Sequence, residues 1–279
     1  MANAEQPAPQ QTAAVTFPWK SSPDDEIRAN LAIGSLRDSL LMWLKTERGV
    51  HAETLLVSIG ALAGYSAQSA VWARVAKRDV PMPNAAAAAP EALSEYLRSN
   101  GLLVIATTKS GENLYFGDLI NGYLVPQAVS RYPDTLWGRV AAGAVANGLP
   151  QSDLPDIHPM FRHVSETVGT PEFGIPTVGK EHQPHIAARE LLNMFWPRAR
   201  FIFTRTDGPG PANGHSVPPE YWPVICEEVA DQLLRQTKDT LDPRIGLKLV
   251  MESAIAMSKV DPKSVPKELP EKDKSQDHR

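Results

Sequence analysis

The run from His51 to Arg74, HAETLLVSIGALAGYSAQSAVWAR, constrains this chain more than any other stretch. No charged side chain lies between Glu53 and Arg74. A segment of that length must be hidden from water, inside a folded domain or inside a bilayer. Its composition separates the two. Ala, Ser and Gly dominate where Leu and Ile would be expected in a membrane span, and Gln68 and several serines dilute the rest. Small side chains add little to insertion, and no second segment of this kind occurs. The run therefore reads as a buried helix. Gly60 and Gly64 form a GxxxG pair, which lets a neighbouring backbone come close.

With 279 residues, 42% of them apolar and 22% charged, the chain has ample material for a sizeable core. A net charge of −4 argues against a protein held to nucleic acid by phosphate contacts, and against a polybasic membrane-surface protein. The single cysteine, Cys226, allows neither an internal disulfide nor a cysteine-based zinc site. The first residues carry no basic stretch followed by an apolar one. These features set the expectation of a soluble, cytoplasmic protein.

Helical periodicity dominates the chain, so the expected fold is mainly α with a small β component, an α+β domain. Its core is helical, built around the Ala/Gly-rich segment, with one β-hairpin in the middle. Residues 1–21 are Ala/Gln/Pro-rich and read as a disordered tail. Residues 22–258 read as one globular domain, with a sub-boundary possible near 149–180, where prolines gather. Residues 259–279 read as a disordered charged tail. A first helix opens at Ser22–Pro23 with Asp24, Asp25 and Glu26 at its positive end. Its apolar positions Ile27, Leu31, Leu36 and Leu40 make it the expected partner of the His51–Arg74 helix. The Ala/Gly-rich helix at Thr135–Asn147 is a second expected neighbour. Leu102–Thr107 and Asn113–Gly117 flank turn chemistry and read as the hairpin. Further helices are expected at Asp118–Ser130 and His158–Val168. Pro184 opens another, closed by Pro197, and Phe201–Arg205 follows as a strand. Asp242–Pro243 opens the last helix, to about Ser258.

Five of the seven histidines, His158, His163, His182, His185 and His215, fall between 158 and 215. With Asp153, Asp156, Asp207, Glu166 and Glu181 near them in sequence, they supply enough nitrogen and oxygen donors for a divalent metal. His158, His163, His182 and His185 are the metal-ligand candidates. Asp207 and His215, in the Gly/Asn-rich stretch Thr206–Pro219, are the catalytic candidates. Pro184 disfavours a shared helical face for His182 and His185. Gly174–Lys180 satisfies GxxxxGK, but Glu181 stands where a P-loop needs Ser or Thr. Cys226 has Glu227 and Glu228 beside it, the opposite of what a reactive thiolate needs. The aromatic residues are scattered along the sequence and read as core anchors.

With no complete catalytic or cofactor motif, the first functional expectation is a protein that works by self-association or by binding another protein, without a cofactor. The alternative is a metal-assisted hydrolase with a His/Asp site between 153 and 215 and a divalent metal as cofactor.

Overall fold

The computed structural model describes residues 23–77, 104–107, 113–126, 135–205 and 216–268. The tail at 1–21, the turn at 109–112 and the candidates Asp207 and His215 lie outside these residues.

The described chain is built from α-helices: α1 Pro23–Trp43, α2 Ala52–Ala76, α3 Phe116–Leu124, α4 Leu136–Ala146, α5 Ile157–Thr167, α6 Ala188–Thr204, α7 Trp222–Gln236 and α8 Pro243–Met257. Several starts are local chemistry. Thr135 caps α4 through the N–H of Gly138, Asp156 caps α5 through that of His158, and Asp242 caps α8 through that of Arg244. Chain reversal after α1 uses a tight turn in which Thr46 and Gly49 exchange backbone hydrogen bonds, with Gly49 at φ 100°.

The α+β expectation is overturned. Val104–Thr107 (β1) and Asn113–Tyr115 (β2) do pair antiparallel, with an irregularity between Val104 and Ala106. Two strands of four and three residues make a ribbon, not a layer. Phe116 and Gly117, assigned to the return strand from sequence, begin α3 instead. The expected strand at Phe201–Arg205 is also absent, because α6 runs through Pro197 to Thr204. Proline removes one helical hydrogen bond and usually breaks the helix, at about 3 kcal/mol. Here Leu192, Phe195, Trp196, Ala199 and Phe203 all lie buried on one face, on both sides of the proline. Burying a large apolar side chain contributes about 1.5–3 kcal/mol, enough in sum to offset the break.

α2 occupies the centre. Its most apolar window is 94% buried, so a helix long and apolar enough to cross a membrane is enclosed by protein on nearly every side. Its main partners are α8 and α7, then α6, the turn Pro219–Tyr221 and α3. Gly60 and Gly64 explain the closest of these contacts. A Cβ at Gly60 would overlap Ser253 Oγ and the Val250 carbonyl, and one at Gly64 would overlap the Ala254 carbonyl, all on α8. The two helix backbones therefore touch. Ser66 and Cys226 make the join to α7, with Oγ and Sγ 3.3 Å apart.

Both neighbours expected for α2 prove different. α1 packs mainly on α7 and α6 and meets α2 only at its margin. Its buried face is set by Ala29, Ala32, Ile33, Leu36 and Leu40, whereas Ile27 and Leu31 are 47% and 43% exposed. α4 packs on α7 and α8. Its Gly143 faces Asp231 Oδ1, which would stand 2.6 Å from an added Cβ.

Candidate functional site

Residues from the N-terminal turn of α2 and from the segment before α6 bring three histidines and a carboxylate together. His51 Nε2 lies 3.2 Å from one Glu53 oxygen, and His182 Nδ1 lies 3.1 Å from the other. The Glu53 side chain is largely buried. Thr54 Oγ1 accepts from the His185 backbone N–H at 2.9 Å and lies 2.9 Å from His51 Nδ1. The Thr54 N–H also points at that nitrogen, at 3.4 Å. The consistent assignment has His51 Nδ1 accepting and Nε2–H donating to Glu53. The His51 and His185 rings stack at 3.6 Å with 15° between planes. Burial holds the His51 imidazole below the ordinary histidine range. Glu53 opposes that shift and His185 adds to it.

Of the four metal-ligand candidates, the structure brings only His182 and His185 near each other. His158 is exposed at the start of α5, with its backbone N–H on the Asp156 cap. His163 Nε2 bonds the Ile175 carbonyl at 2.9 Å. Among the described residues no group of three His, Cys, Asp or Glu side chains is placed to hold a metal ion. The reason is visible in the cluster itself. Parallel stacked rings do not aim their lone pairs at one point, and both Glu53 oxygens are already engaged by imidazoles. His51, Glu53 and Thr54 lie more than 120 residues from His182 and His185 in sequence, and were not read as part of this region.

The GxxxxGK stretch has a structural use. Thr177 donates its backbone N–H and its hydroxyl to the two carboxylate oxygens of Glu252, a buried residue of α8. The Lys248 ammonium donates to the Thr177 carbonyl. Glu252 thus pins the loop at Thr177 onto α8.

A second region holds a cavity of about 470 Å³ between α2, α6, the start of α7 and the chain beyond α8. Tyr65, Trp72, Trp196 and Trp222 supply its aromatic walls. Tyr65 meets Trp196 edge-on at 4.6 Å, and Trp196 meets Trp222 at 5.7 Å and 61°. Trp222 is held by its indole N–H on the Val217 carbonyl at 3.0 Å, and Phe203 stacks behind it at 5.3 Å. Burial pushes the Tyr65 phenol up to about 12, so it stays neutral. These rings come from three helices and are scattered in sequence. They read as separate anchors until α2, α6 and α7 meet.

The chain after α8 completes the cavity. The Gln68 amide donates to the carbonyls of Ser258 and Val260, both at 2.9 Å. Arg189 bonds Ser264 through its carbonyl and hydroxyl, and Arg200 bonds the Lys267 carbonyl at 3.0 Å. Val260 and Val265 are buried beneath this segment. Residues 259–268, counted with the charged tail in the sequence reading, thereby place Pro262, Lys263 and Lys267 around the cavity.

Comparison of the chain with protein-family models, with curated proteins and with solved structures finds no match.

Proposed function

We propose that this protein works by binding, and that its ligand is a small planar aromatic molecule held among Tyr65, Trp72, Trp196 and Trp222. The observation that carries the reading is the cavity. At about 470 Å³ it falls within the usual size range of small-molecule sites, and aromatic side chains of the kind that line such sites form its walls. Aromatic faces favour ring-shaped ligands through edge and offset stacking. The binding expectation drawn from sequence thus narrows, from a protein partner or a second copy to a small molecule. Among the described candidates of the metal-assisted alternative, His158 and His163 stand apart, while His182 and His185 engage Glu53, Thr54 and His51.

The test uses a neutral fluorophore, N-phenyl-1-naphthylamine, whose emission rises in apolar surroundings. The folded protein should bind it saturably at one site. Ser69→Trp should fill the cavity and abolish the signal while the circular dichroism stays that of the parent. Should that variant fail to fold, Trp72→Leu serves in its place, with weakened binding expected. Absence of saturable binding to the folded parent protein overturns the proposal.

A further inference from the structure

We infer that the ligand of this cavity is an aromatic anion, an inference that rests on the binding function proposed above. The cavity is asymmetric in its polar groups. At its inner side stands Gln68, fully buried. Its amide nitrogen is committed to two carbonyls, of Ser258 and Val260. That fixes the amide orientation, since a flipped group would set its oxygen against those two oxygens. The other end, Gln68 Oε1, is buried and has no hydrogen-bond partner among the described residues. With no accessible surface, that oxygen lies out of a ligand's reach, and Gln68 serves the cavity by holding the chain beyond α8 in place.

At the outer side the charged side chains of the lining are cationic. Arg200, Lys263 and Lys267 line the cavity, all three exposed. No acidic residue is among the described residues that line it. Asp261, beside this rim, accepts from the N–H of Lys263 at 2.9 Å, and its charge acts on Tyr65 against those of Arg189 and Arg200. In a chain of net charge −4, three cations around one opening mark where a negative group is favoured. Aromatic walls and a cationic mouth together describe a planar ring system that carries a carboxylate, sulfonate or phosphate.

Three probes separate these features by titration calorimetry: 2-naphthoate, 2-naphthol and naphthalene. 2-Naphthoate should bind tightest. Loss of its carboxylate, as in 2-naphthol, should weaken binding about tenfold at low salt, and the difference should shrink as salt is added. The double variant Lys263→Gln/Lys267→Gln should lose the preference for the anion while still binding 2-naphthol. Equal affinity for all three probes, or an anion preference unchanged in the double variant, overturns this inference and leaves the cavity as a site for neutral ligands. Binding of none of them overturns both it and the function on which it rests.

Discussion

Gly64 of α2 sits against Ala254 of α8 so closely that a Cβ at position 64 would stand 2.8 Å from the Ala254 Cα and overlap its carbonyl. The obstacle is helix backbone, not the end of a flexible side chain. Gly64→Ala should therefore destabilise the protein by about 1–3 kcal/mol in urea denaturation, despite the better helix propensity of alanine. Gly60→Leu, against Ser253 and the Val250 backbone, should cost at least as much. Gly34 is the control. It lies in α1 with nothing within 4 Å of its Cβ position, so Gly34→Ala should stabilise by about 0.5–1 kcal/mol. Wild-type stability in both α2 variants would show that the two helices do not touch there.

Glu252 carries a second prediction. Its carboxylate is buried and receives both the N–H and the hydroxyl of Thr177. Glu252→Ala should destabilise by about 1–3 kcal/mol because the Thr177 groups lose their acceptor. Thr177→Val removes only the hydroxyl and should cost about 1 kcal/mol. In a double-mutant cycle the two effects should not add. Strict additivity would mean the loop does not rest on Glu252.

The His51 cluster makes stability depend on pH. Burial lowers the His51 pKa, so between its native value and the unfolded value near 6.5 the folded state binds fewer protons. Stability therefore rises with pH through that window. It is complete above about 6.5 and declines as the solution is acidified below it. The groups facing His51 are Glu53, which favours its proton, and His185, which disfavours it; His182 shares the Glu53 carboxylate. His51→Gln should flatten the fall in thermal midpoint between about pH 7 and about pH 5.5. An unchanged slope in the variant would remove His51 as the cause.

Cys226 should be silent in the native protein. It is fully buried against Ser66, and burial pushes its thiol up to about 12, so almost no thiolate exists at neutral pH. A disulfide reagent at pH 8 should leave the folded chain unlabelled and modify one thiol per chain in denaturant. Rapid labelling without denaturant would show that the α2–α7 join opens.

What could be read from the residues alone was local. Asp242 announced a helix start, helical character marked Thr135–Asn147 and His158–Val168, and the uncharged run announced a core helix. Capping, proline at a first turn and helical spacing act within about four residues of chain, so they are carried by neighbours in sequence. The continuation of α6 through Pro197 was also written there, in the spacing of Phe195, Ala199 and Phe203. The β-branched and aromatic character of Phe201–Arg205 concealed it.

The tertiary structure decided what those local rules do not address. Gly60 and Gly64 marked a close approach, but that the approaching helix is α8 depends on residues about 190 positions away in sequence. Alanines set the buried face of α1, and alanine reads neutrally in an apolar pattern. The cavity needs Tyr65 and Trp72, Trp196, Trp222 and the chain near Lys263 at once, and no window of sequence contains them together. Helices form because nearby residues agree on a local conformation. Sites form because distant faces are buried against one another, and only the packed chain brings Gln68 and Lys267 to opposite sides of the same space.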